Sequence, residues 1–324
     1  MRNRKLALGA ILLVVAAAAV VLALGTSPGT AKSSAAYKAA WIYVGPHNDG
    51  GWSQAHDQGR LYVQKMLGSK VQTTYKENVP EGPQVAQVIE QLIRDGNKII
   101  FATSFGYQNA MAAAAAKHPD VKFEMATGTI IKPNMAEYYG AGEDAIYLSG
   151  IAAGAATKTG TVGYVVPFAI PEVIRHTNAF ALGVQKAHPG AKVKIVWTSS
   201  WFDPAKEKKA AENLKAAGAD VLGQNVDSPS TGQFAKSVGL PWVGYDSNAQ
   251  SFAPKQWLTA AVYNWGPYYL KRVKAAMNGT WNEFSGPIYD QKGKLQIPKG
   301  KKPTFNDLYS MSYLVKGVIG SPKG

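Results

Sequence analysis

The sequence predicts an α/β protein of two similar lobes, each a doubly wound parallel sheet with helices on both faces. Stretches with strand-like and helix-like patterns alternate along most of the chain, as they do where helices connect parallel strands. The pattern restarts at about residue 160, which indicates a second lobe. With 324 residues, of which 46% are apolar, the chain is long enough to form two hydrophobic cores.

The first part of the chain has five stretches with strand character and four with helix character. The strands are predicted at 39–44, 71–75, 98–102, 121–126 and 135–142. The helices are predicted at 54–67, 82–95, 107–118 and 144–158. The second of these helices is supported by its spacing, because Val85, Ile89 and Leu92 recur as one buried helical face.

After the restart, the same alternation continues to residue 278. The strands are predicted at 161–166, 193–198, 221–225, 242–245 and 258–262. The helices are predicted at 172–188, 204–217, 232–238 and 267–278, the last beginning at Pro267, which suits a first helical position. We expect the last strand and helix to return to the first lobe. Lobe 1 would then comprise 38–160 and 247–324, and lobe 2 would comprise 161–246.

Residues 1–37 have the pattern of a targeting segment followed by a tether. Arg2, Arg4 and Lys5 precede an uncharged, apolar stretch at 6–25, which is the order of regions in an export signal. Because that stretch is also long enough to cross a bilayer, a cleaved signal peptide and an uncleaved membrane anchor both stay open. Either outcome predicts that the rest of the chain works outside the cytoplasm, at the cell surface or in a periplasm.

The composition excludes several classes of function. The chain has no cysteine, so it cannot use disulfides, thiolate catalysis, Cys-based metal sites or a lipid-modified cysteine. The net charge of +14 is concentrated at the two ends, and the segment from residue 292 onward holds seven Lys and one Asp. Such a tail is a solvated end or touches an acidic surface such as anionic lipid. No nucleic-acid partner is expected, because the basic residues are not interleaved with aromatic residues in a recognisable module.

The loop 45–54 (GPHNDGGWSQ), between the first predicted strand and helix, is the most informative stretch of the chain. Gly-rich loops at this place in open α/β sheets bind ligands, but neither phosphate-binding glycine motif is present. Trp52 offers a ring face, and Asn48, Asp49 and Ser53 offer polar groups that could read the edges of a flat, polar ligand. The alternative is a helix N-cap beside one half-buried Trp.

No catalytic or metal-binding constellation is predicted. The five His residues lack metal-ligand spacing, and neither an H-E-x-x-H nor a G-x-S-x-G motif occurs. His56 and Asp57 are adjacent, but neighbouring residues on a helix point in different directions, so they are a poor acid–base pair. We therefore expect no enzymatic activity, no cofactor and no metal ion.

Eight short motifs occur in register along the exported part. They are GPHNDGGWS at 45–53, HDQG at 56–59, ATSFGY at 102–107, PFAIPE at 167–172, NAFALG at 178–183, WFDP at 201–204, DSP at 227–229 and GYD at 244–246. Together they resemble the basic membrane protein family of ABC-importer substrate-binding proteins, the relatives of the purine nucleoside receptor.

The resemblance implies a type I periplasmic-binding fold, in which two doubly wound lobes joined by three crossings close on a ligand. It also implies a monomer that binds a purine base or nucleoside, hands it to a membrane permease and catalyses nothing. The chain departs from the family pattern in lacking a lipid-modified cysteine and in carrying Trp52 where the nucleoside receptors have Phe. The choice between base and nucleoside therefore stays open.

Twelve residues are candidates for contact with the ligand, and most have a structural alternative. Trp52 is expected to stack on the ligand or to pack between lobes, Phe105 and Phe168 to form an opposite wall, and Tyr107 to cover the cleft or cap a helix. Glu172 and Asp246 could bind polar edges, or favour a helix dipole and cap a helix. The full set is Asn48, Asp49, Trp52, Ser53, Ser104, Phe105, Tyr107, Phe168, Glu172, Trp201, Asp227 and Asp246.

Three other functions are compatible with parts of the pattern. A binding protein of the same fold could take a small sugar, since sugar sites also use Trp and Asp. An uncleaved anchor would favour a sensor that signals by closure, although no cytoplasmic domain is evident. An exported hydrolase is disfavoured, because it needs a nucleophile with a base in reach and neither is found.

Overall fold

A computed structural model describes residues 35–281, 286–299, 301, 303, 307, 310–319 and 321. The predicted apolar segment at 6–25 lies outside the described residues. Within the described part of the chain, no helix is both long enough and apolar enough to cross a membrane.

The first lobe is built on a sheet of five parallel strands in the order β2-β1-β3-β4-β5. These strands are β1 (Tyr37–Ile42), β2 (Val71–Lys76), β3 (Ile99–Ala102), β4 (Lys122–Ala126) and β5 (Met135–Tyr138). The helices are α1 (Trp52–Leu67), α2 (Pro83–Arg94) and α3 (Gln108–Lys117). Along β1 the side chains alternate between two cores, because Ala40 and Ile42 pack towards α2 and α3, whereas Trp41 packs on the opposite face.

The second lobe is built on a parallel sheet in the order β7-β6-β8-β9-β10. Its strands are β6 (Thr161–Val166), β7 (Lys192–Trp197), β8 (Val221–Gln224), β9 (Trp242–Asp246) and β10 (Trp257–Val262). Its helices are α4 (Glu143–Ala156), α5 (Pro171–Ala187), α6 (Pro204–Ala216) and α7 (Ser230–Val238). Helices α4 and α5 cover one face of this sheet, and α6 and α7 cover the other.

The two sheets repeat one strand order, which confirms the doubly wound α/β fold that the restart near residue 160 predicted. In each sheet the second strand lies on one side of the first and the third strand lies on the other, so the strand order reverses between the first and third strands; such folds bind ligands at this point. A short antiparallel pair near the C-terminal end, β11 (Ile288–Tyr289) and β12 (Leu295–Ile297), was not predicted.

The division into lobes differs from the prediction at both boundaries. Helix α4 packs against α5 and the second sheet, so the chain leaves the first lobe at 139–142 and not near residue 160. Strand β10 pairs with β9 and therefore belongs to the second sheet. The chain returns at 263–265, and α8 (Gly266–Met277) packs in the first lobe as expected. The third crossing that the resemblance implies stays a prediction.

Helices α4 and α5 approach each other so closely that glycine is required at their contact. A Cβ atom on Gly183 would lie 2.0 Å from the carbonyl oxygen of Tyr147, and one on Gly150 would lie 2.2 Å from that of Phe180. Both distances are far inside van der Waals contact, so a side chain at either position would push the helices apart. The sequence signal is the Gly/Ala-rich composition of α4.

We predict that Gly183→Ala lowers the free energy of unfolding by about 1–3 kcal/mol, the usual cost of overpacking a core. The measurement is the urea midpoint of the purified variant. Lys186→Ala, an exposed change on the same helix, serves as the control and should stay within about 0.5 kcal/mol of wild type. Equal midpoints for wild type and Gly183→Ala would contradict the close contact.

Candidate functional site

A cavity lies between the lobes, at the carboxyl ends of the strands; the space between atoms there amounts to about 400 Å³, part of it open to solvent. The first lobe contributes the ends of β1, β3 and β4 and the start of α1, and the second contributes α5 and the ends of β7, β8 and β9. The lining residues are Val44, Trp52, Thr103, Ser104, Phe105, Thr127, Glu172, Val173, His176, Trp201, Asn225, Asp227 and Tyr245.

Trp52, the first residue of α1, is held in a fixed orientation. Its indole N–H donates to the carbonyl oxygen of Thr103 at 2.5 Å. Its ring stands nearly perpendicular to the rings of His56, Tyr263 and Trp265, with centroids 4.3, 5.7 and 5.8 Å away. Because these neighbours fix the indole before a ligand arrives, little side-chain entropy is lost when another ring contacts it.

His176 brings an unpartnered nitrogen to the cavity wall. The residue is fully buried on α5, and its Nδ1 lies 3.3 Å from the Asn225 amide nitrogen and 3.2 Å from the Tyr245 hydroxyl. Since the amide nitrogen can only donate, Nδ1 accepts, and Nε2 carries the hydrogen of the neutral ring. Nε2 has no hydrogen-bond partner among the described residues. Burial lowers the pKa of His176 to about 4, so the ring is a neutral donor at physiological pH.

Asp227 brings an unpartnered acceptor to the same wall. It follows β8, is almost fully buried, and its Oδ2 has no hydrogen-bond partner within the described part of the chain. Asp246, the last residue of β9, is fully buried, and neither of its carboxyl oxygens has a described partner. Burial, and then the negative charge of the other carboxylates, raises the pKa of both groups well above the ordinary value. Donors supplied by a ligand would relieve this cost.

Glu172 stands where the cavity meets a second, more open pocket. It lies in the first turn of α5, and burial raises its pKa to about 7. The outer space is also lined by Glu137, Tyr139 and Arg175. Arg175 is already paired with Glu143 at 2.7 Å and lies over the Tyr139 ring, so it is not a free cation.

The two lobes are in contact around the cavity. The Ser247 hydroxyl of the second lobe donates to the Gly51 carbonyl oxygen of the first at 2.7 Å. A Cβ atom on Gly51 would lie 2.1 Å from the carbonyl oxygen of Asp227, so the two backbones nearly touch. The Trp201 indole N–H donates across the lobes to Glu81 at 3.2 Å. The structure is therefore a closed conformation.

Of the twelve residues predicted from the sequence, six lie in the cavity wall. They are Trp52, Ser104, Phe105, Glu172, Trp201 and Asp227. They come from three different loops and two helix starts, so the fold brings together residues up to 175 positions apart.

Three of the other predicted residues build the first loop and do not line the cavity. The Asp49 carboxylate accepts from the backbone N–H groups of Gly51, Ser53 and Gln54, so it caps α1. Ser53 is fully buried, and its hydroxyl accepts from the Gly45 N–H. Asn48 is exposed. Asp49 thus serves the first turn of α1 from two residues before the N-cap position, which Gly51 occupies.

The remaining three predicted residues are also outside the wall. Tyr107 is fully buried in the core of the first lobe, where its hydroxyl donates to the Val79 carbonyl oxygen. Phe168 packs on Trp201 at 5.0 Å between ring centroids and supports the wall indirectly. Asp246 is buried next to Tyr245, which does line the cavity.

Sequence reasoning missed several wall residues. The wall residues that were not among the twelve candidates are Val44, Thr103, Thr127, Val173, His176, Asn225 and Tyr245. Asn225 and Tyr245 end predicted strands, which is a usable signal because parallel strands end at the same edge of a sheet. His176 gives no signal, since its place in the wall depends on the orientation of α5. No group of His, Asp or Glu side chains in the described ranges is arranged to hold a metal ion.

Comparison with known proteins identifies one family. Residues 36–294 match the family described as ABC transporter substrate-binding protein PnrA-like. The chain is 37% identical to the purine-binding protein BAB2_0673 of Brucella abortus, over 90% of this chain and 95% of that protein. It is 36% identical to the putative ABC transporter glucose-binding protein TsgA13 of Haloferax volcanii, over 87% of this chain and 75% of that protein.

Solved structures with the same fold include an ABC transporter solute-binding protein from Conexibacter woesei. It superposes with a TM-score of 0.62 at 24% identity and covers 76% of this chain and 83% of that one. This likeness supports the periplasmic-binding fold with its two parallel-sheet lobes.

We predict that His176→Asn removes part of the acid sensitivity of folding. The pKa of His176 is lower in the folded state, about 4, than its ordinary 6.5, so the unfolded chain binds the proton more tightly and stability falls as pH drops below 6.5. Between pH 7 and pH 5 this group costs about 2 kcal/mol. Urea unfolding at both pH values should show a smaller loss in the variant, and the same loss in both proteins would refute the assignment.

Proposed function

We propose, because this chain belongs to the family of PnrA-like ABC transporter substrate-binding proteins, that it binds a purine base or nucleoside between its lobes. The family consists of binding proteins and not of enzymes, so the cavity captures a ligand and transforms nothing. Lobe closure would then present the loaded protein to an ABC permease. The similarity to the purine-binding protein of Brucella abortus supports the choice of ligand.

One observation carries this proposal. The wall combines an indole in a fixed orientation with two buried polar atoms that lack partners, one a hydrogen-bond donor and the other an acceptor. Trp52 offers a ring surface, His176 Nε2 offers a donor, and Asp227 Oδ2 offers an acceptor. A purine is flat and carries both acceptors and donors on its edges, so it can satisfy all three at once. Stacking of a base on an aromatic side chain contributes about 1–3 kcal/mol.

The charges of the cavity favour an uncharged ligand. No Lys or Arg is among the described lining residues, whereas Glu172 and Asp227 are acidic. A phosphate group there would meet carboxylates without a compensating cation, which is costly in a buried site. Bases and nucleosides therefore fit better than nucleotides.

The cellular setting follows from the family and the first residues of the chain. ABC solute-binding proteins work outside the cytoplasm. We propose that the apolar segment at 6–25 exports the chain, either as a cleaved signal or as a retained anchor. The binding part would act as a monomer that meets its permease at the membrane.

A small sugar is the second candidate ligand. The 36% identity to the putative glucose-binding protein of Haloferax volcanii favours it, and the carboxylates of Glu172 and Asp227 could accept hydroxyl hydrogens. The two candidate ligands would contact the Trp52 indole differently. A purine stacks on Trp52 across its whole ring, while a sugar presents a smaller C–H face.

We predict that a purine, and not glucose, raises the unfolding midpoint of residues 38–324. A ligand at 100 times its dissociation constant adds about 2.7 kcal/mol to folding stability. Adenine, adenosine, guanosine, inosine, adenosine monophosphate and glucose would be compared by thermal unfolding of protein refolded free of ligand. A shift with glucose alone would replace the purine proposal, and the strongest purine would decide between base and nucleoside.

We also predict that Trp52→Ala weakens purine binding about 5- to 150-fold, the equivalent of one lost stacking interaction. Trp197→Ala is the matched control, because Trp197 lies at the end of the edge strand β7 and is 39% exposed. Isothermal titration with the best purine gives both affinities. Equal losses in the two variants would argue against stacking on Trp52.

Closure can be tested separately from stacking. We predict that Gly51→Ala weakens binding at least about tenfold, because its methyl group would meet the Asp227 carbonyl oxygen before the lobes close. Because Gly51 has a φ of −137° and a ψ of −124°, the unfolding midpoint of the variant is measured beside its affinity, so that a loss of binding is separated from a loss of folding. Gly45→Ala in the same loop is the control, because its methyl group would meet side chains and not backbone: Ser53 Oγ at 3.2 Å, Asp49 Oδ2 at 3.3 Å and a Phe202 ring carbon at 3.5 Å. Unchanged affinity in Gly51→Ala would show that binding does not need this contact.

A further inference from the structure

Glu81 lies outside the cavity wall, yet it contacts wall segments of both lobes. It stands just before α2. Its Oε1 accepts from the Ser104 hydroxyl at 2.5 Å and from the Gly106 backbone N–H at 2.7 Å. Both donors belong to the segment after β3, which forms the first-lobe wall.

The same oxygen accepts a third hydrogen bond, from the second lobe. The indole N–H of Trp201, in the segment between β7 and α6, donates to Oε1 at 3.2 Å. The backbone of that segment is in turn tied to the opposite wall, because the Asp227 N–H donates to the Trp201 carbonyl oxygen at 3.1 Å. One carboxylate oxygen thus connects Ser104 in one lobe to Trp201 and Asp227 in the other.

The contact between Glu81 and the first-lobe wall is close-packed. A Cβ atom on Gly106 would lie 2.5 Å from the Glu81 carboxyl carbon, so the carboxylate rests directly on the Gly106 backbone. This packing against Gly106 does not involve Trp201, so it can hold the Glu81 carboxylate in place when the lobes are apart. The bond to Trp201 is therefore the one of the three that depends on the distance between the lobes.

We propose that Glu81 is a positioning residue that latches the closed lobes by receiving Trp201. Glu81 is exposed, so its carboxylate can be hydrated when the lobes part and needs no other partner in the open state. Trp201 lines the cavity, so a ligand that contacts its ring also places its N–H against Glu81. Binding and latching then support each other. This inference rests on lobe closure and not on the identity of the ligand.

The latch predicts a coupled loss in two variants. Glu81→Ala and Trp201→Phe should each speed adenine dissociation about tenfold, the usual worth of one hydrogen bond to a charged group. In the double variant the combined effect should be smaller than the product of the two single effects, because both changes remove the bond between Trp201 and Glu81. Stopped-flow displacement gives the rates. If the effects multiply, or if Trp201→Phe leaves dissociation unchanged, the latch is wrong.

A second measurement needs no ligand. The chain has no cysteine, so Lys117→Cys and Lys208→Cys, one exposed position on each lobe, can carry a pair of spin labels. Distance distributions should show fewer closed molecules in Glu81→Ala and in Trp201→Phe than in wild type. Equal closed fractions would overturn the proposal even if adenine does not bind, whereas absent adenine binding alone would count against the proposed function only.

Glu77→Ala is the matched control for loss of a first-lobe carboxylate. Its Oε2 accepts from the backbone N–H of His47 and contacts the His47 ring at 2.7 Å, both within the first lobe. It should leave the closed fraction and the dissociation rate as in wild type. A loss equal to that of Glu81→Ala would mean that surface charge, and not the contact with Trp201, sets closure.

Discussion

The near-contact of two backbones, Gly51 in the first lobe and Asp227 in the second, is the constraint on which the cavity depends. Because no side chain separates them, the loop after β1 can reach the loop after β8, and the space between becomes enclosed. Enclosure removes water, which strengthens every polar contact inside and raises the cost of leaving a buried group unpaired. Closure therefore makes it costly to leave the unpartnered atoms of His176 and Asp227 without a hydrogen bond.

Rigidity and adaptability are divided between the two sides of the cavity. On the first-lobe side, Trp52 is fixed by a hydrogen bond to Thr103 and by three perpendicular rings, and Asp49 secures the start of its helix. On the second-lobe side, buried titratable groups sit without full hydrogen bonding. This division suits a receptor in which the aromatic ring is preorganised and the ligand supplies the missing hydrogen bonds of the polar groups.

Electrostatics also explains why this arrangement binds and does not catalyse. Burial holds His176 neutral and raises the pKa of Asp227 and Asp246, but His176 Nδ1 is occupied by Asn225 and Tyr245. The Ser104 hydroxyl of the wall donates to Glu81 Oε1, and this oxygen also accepts from Gly106 and Trp201. Perturbed pKa values often mark active sites. Here they follow from placing acids in a dry interlobe space that a neutral ligand would fill.

The sequence alone determined the elements and the type of fold. Periodicity and strand–helix alternation are local properties, so nearly every helix and strand up to residue 278 was predicted within a few residues, and half of the candidate residues do line the cavity. Only the tertiary structure decided which lobe α4 and β10 join, that Tyr107 fills a core, that Asp49 caps a helix, and that His176 faces the cavity. These outcomes depend on side-chain direction and on contacts between residues far apart in the chain. Such contacts leave no periodic signal, because the packing energy that selects them exists only after the lobes have formed.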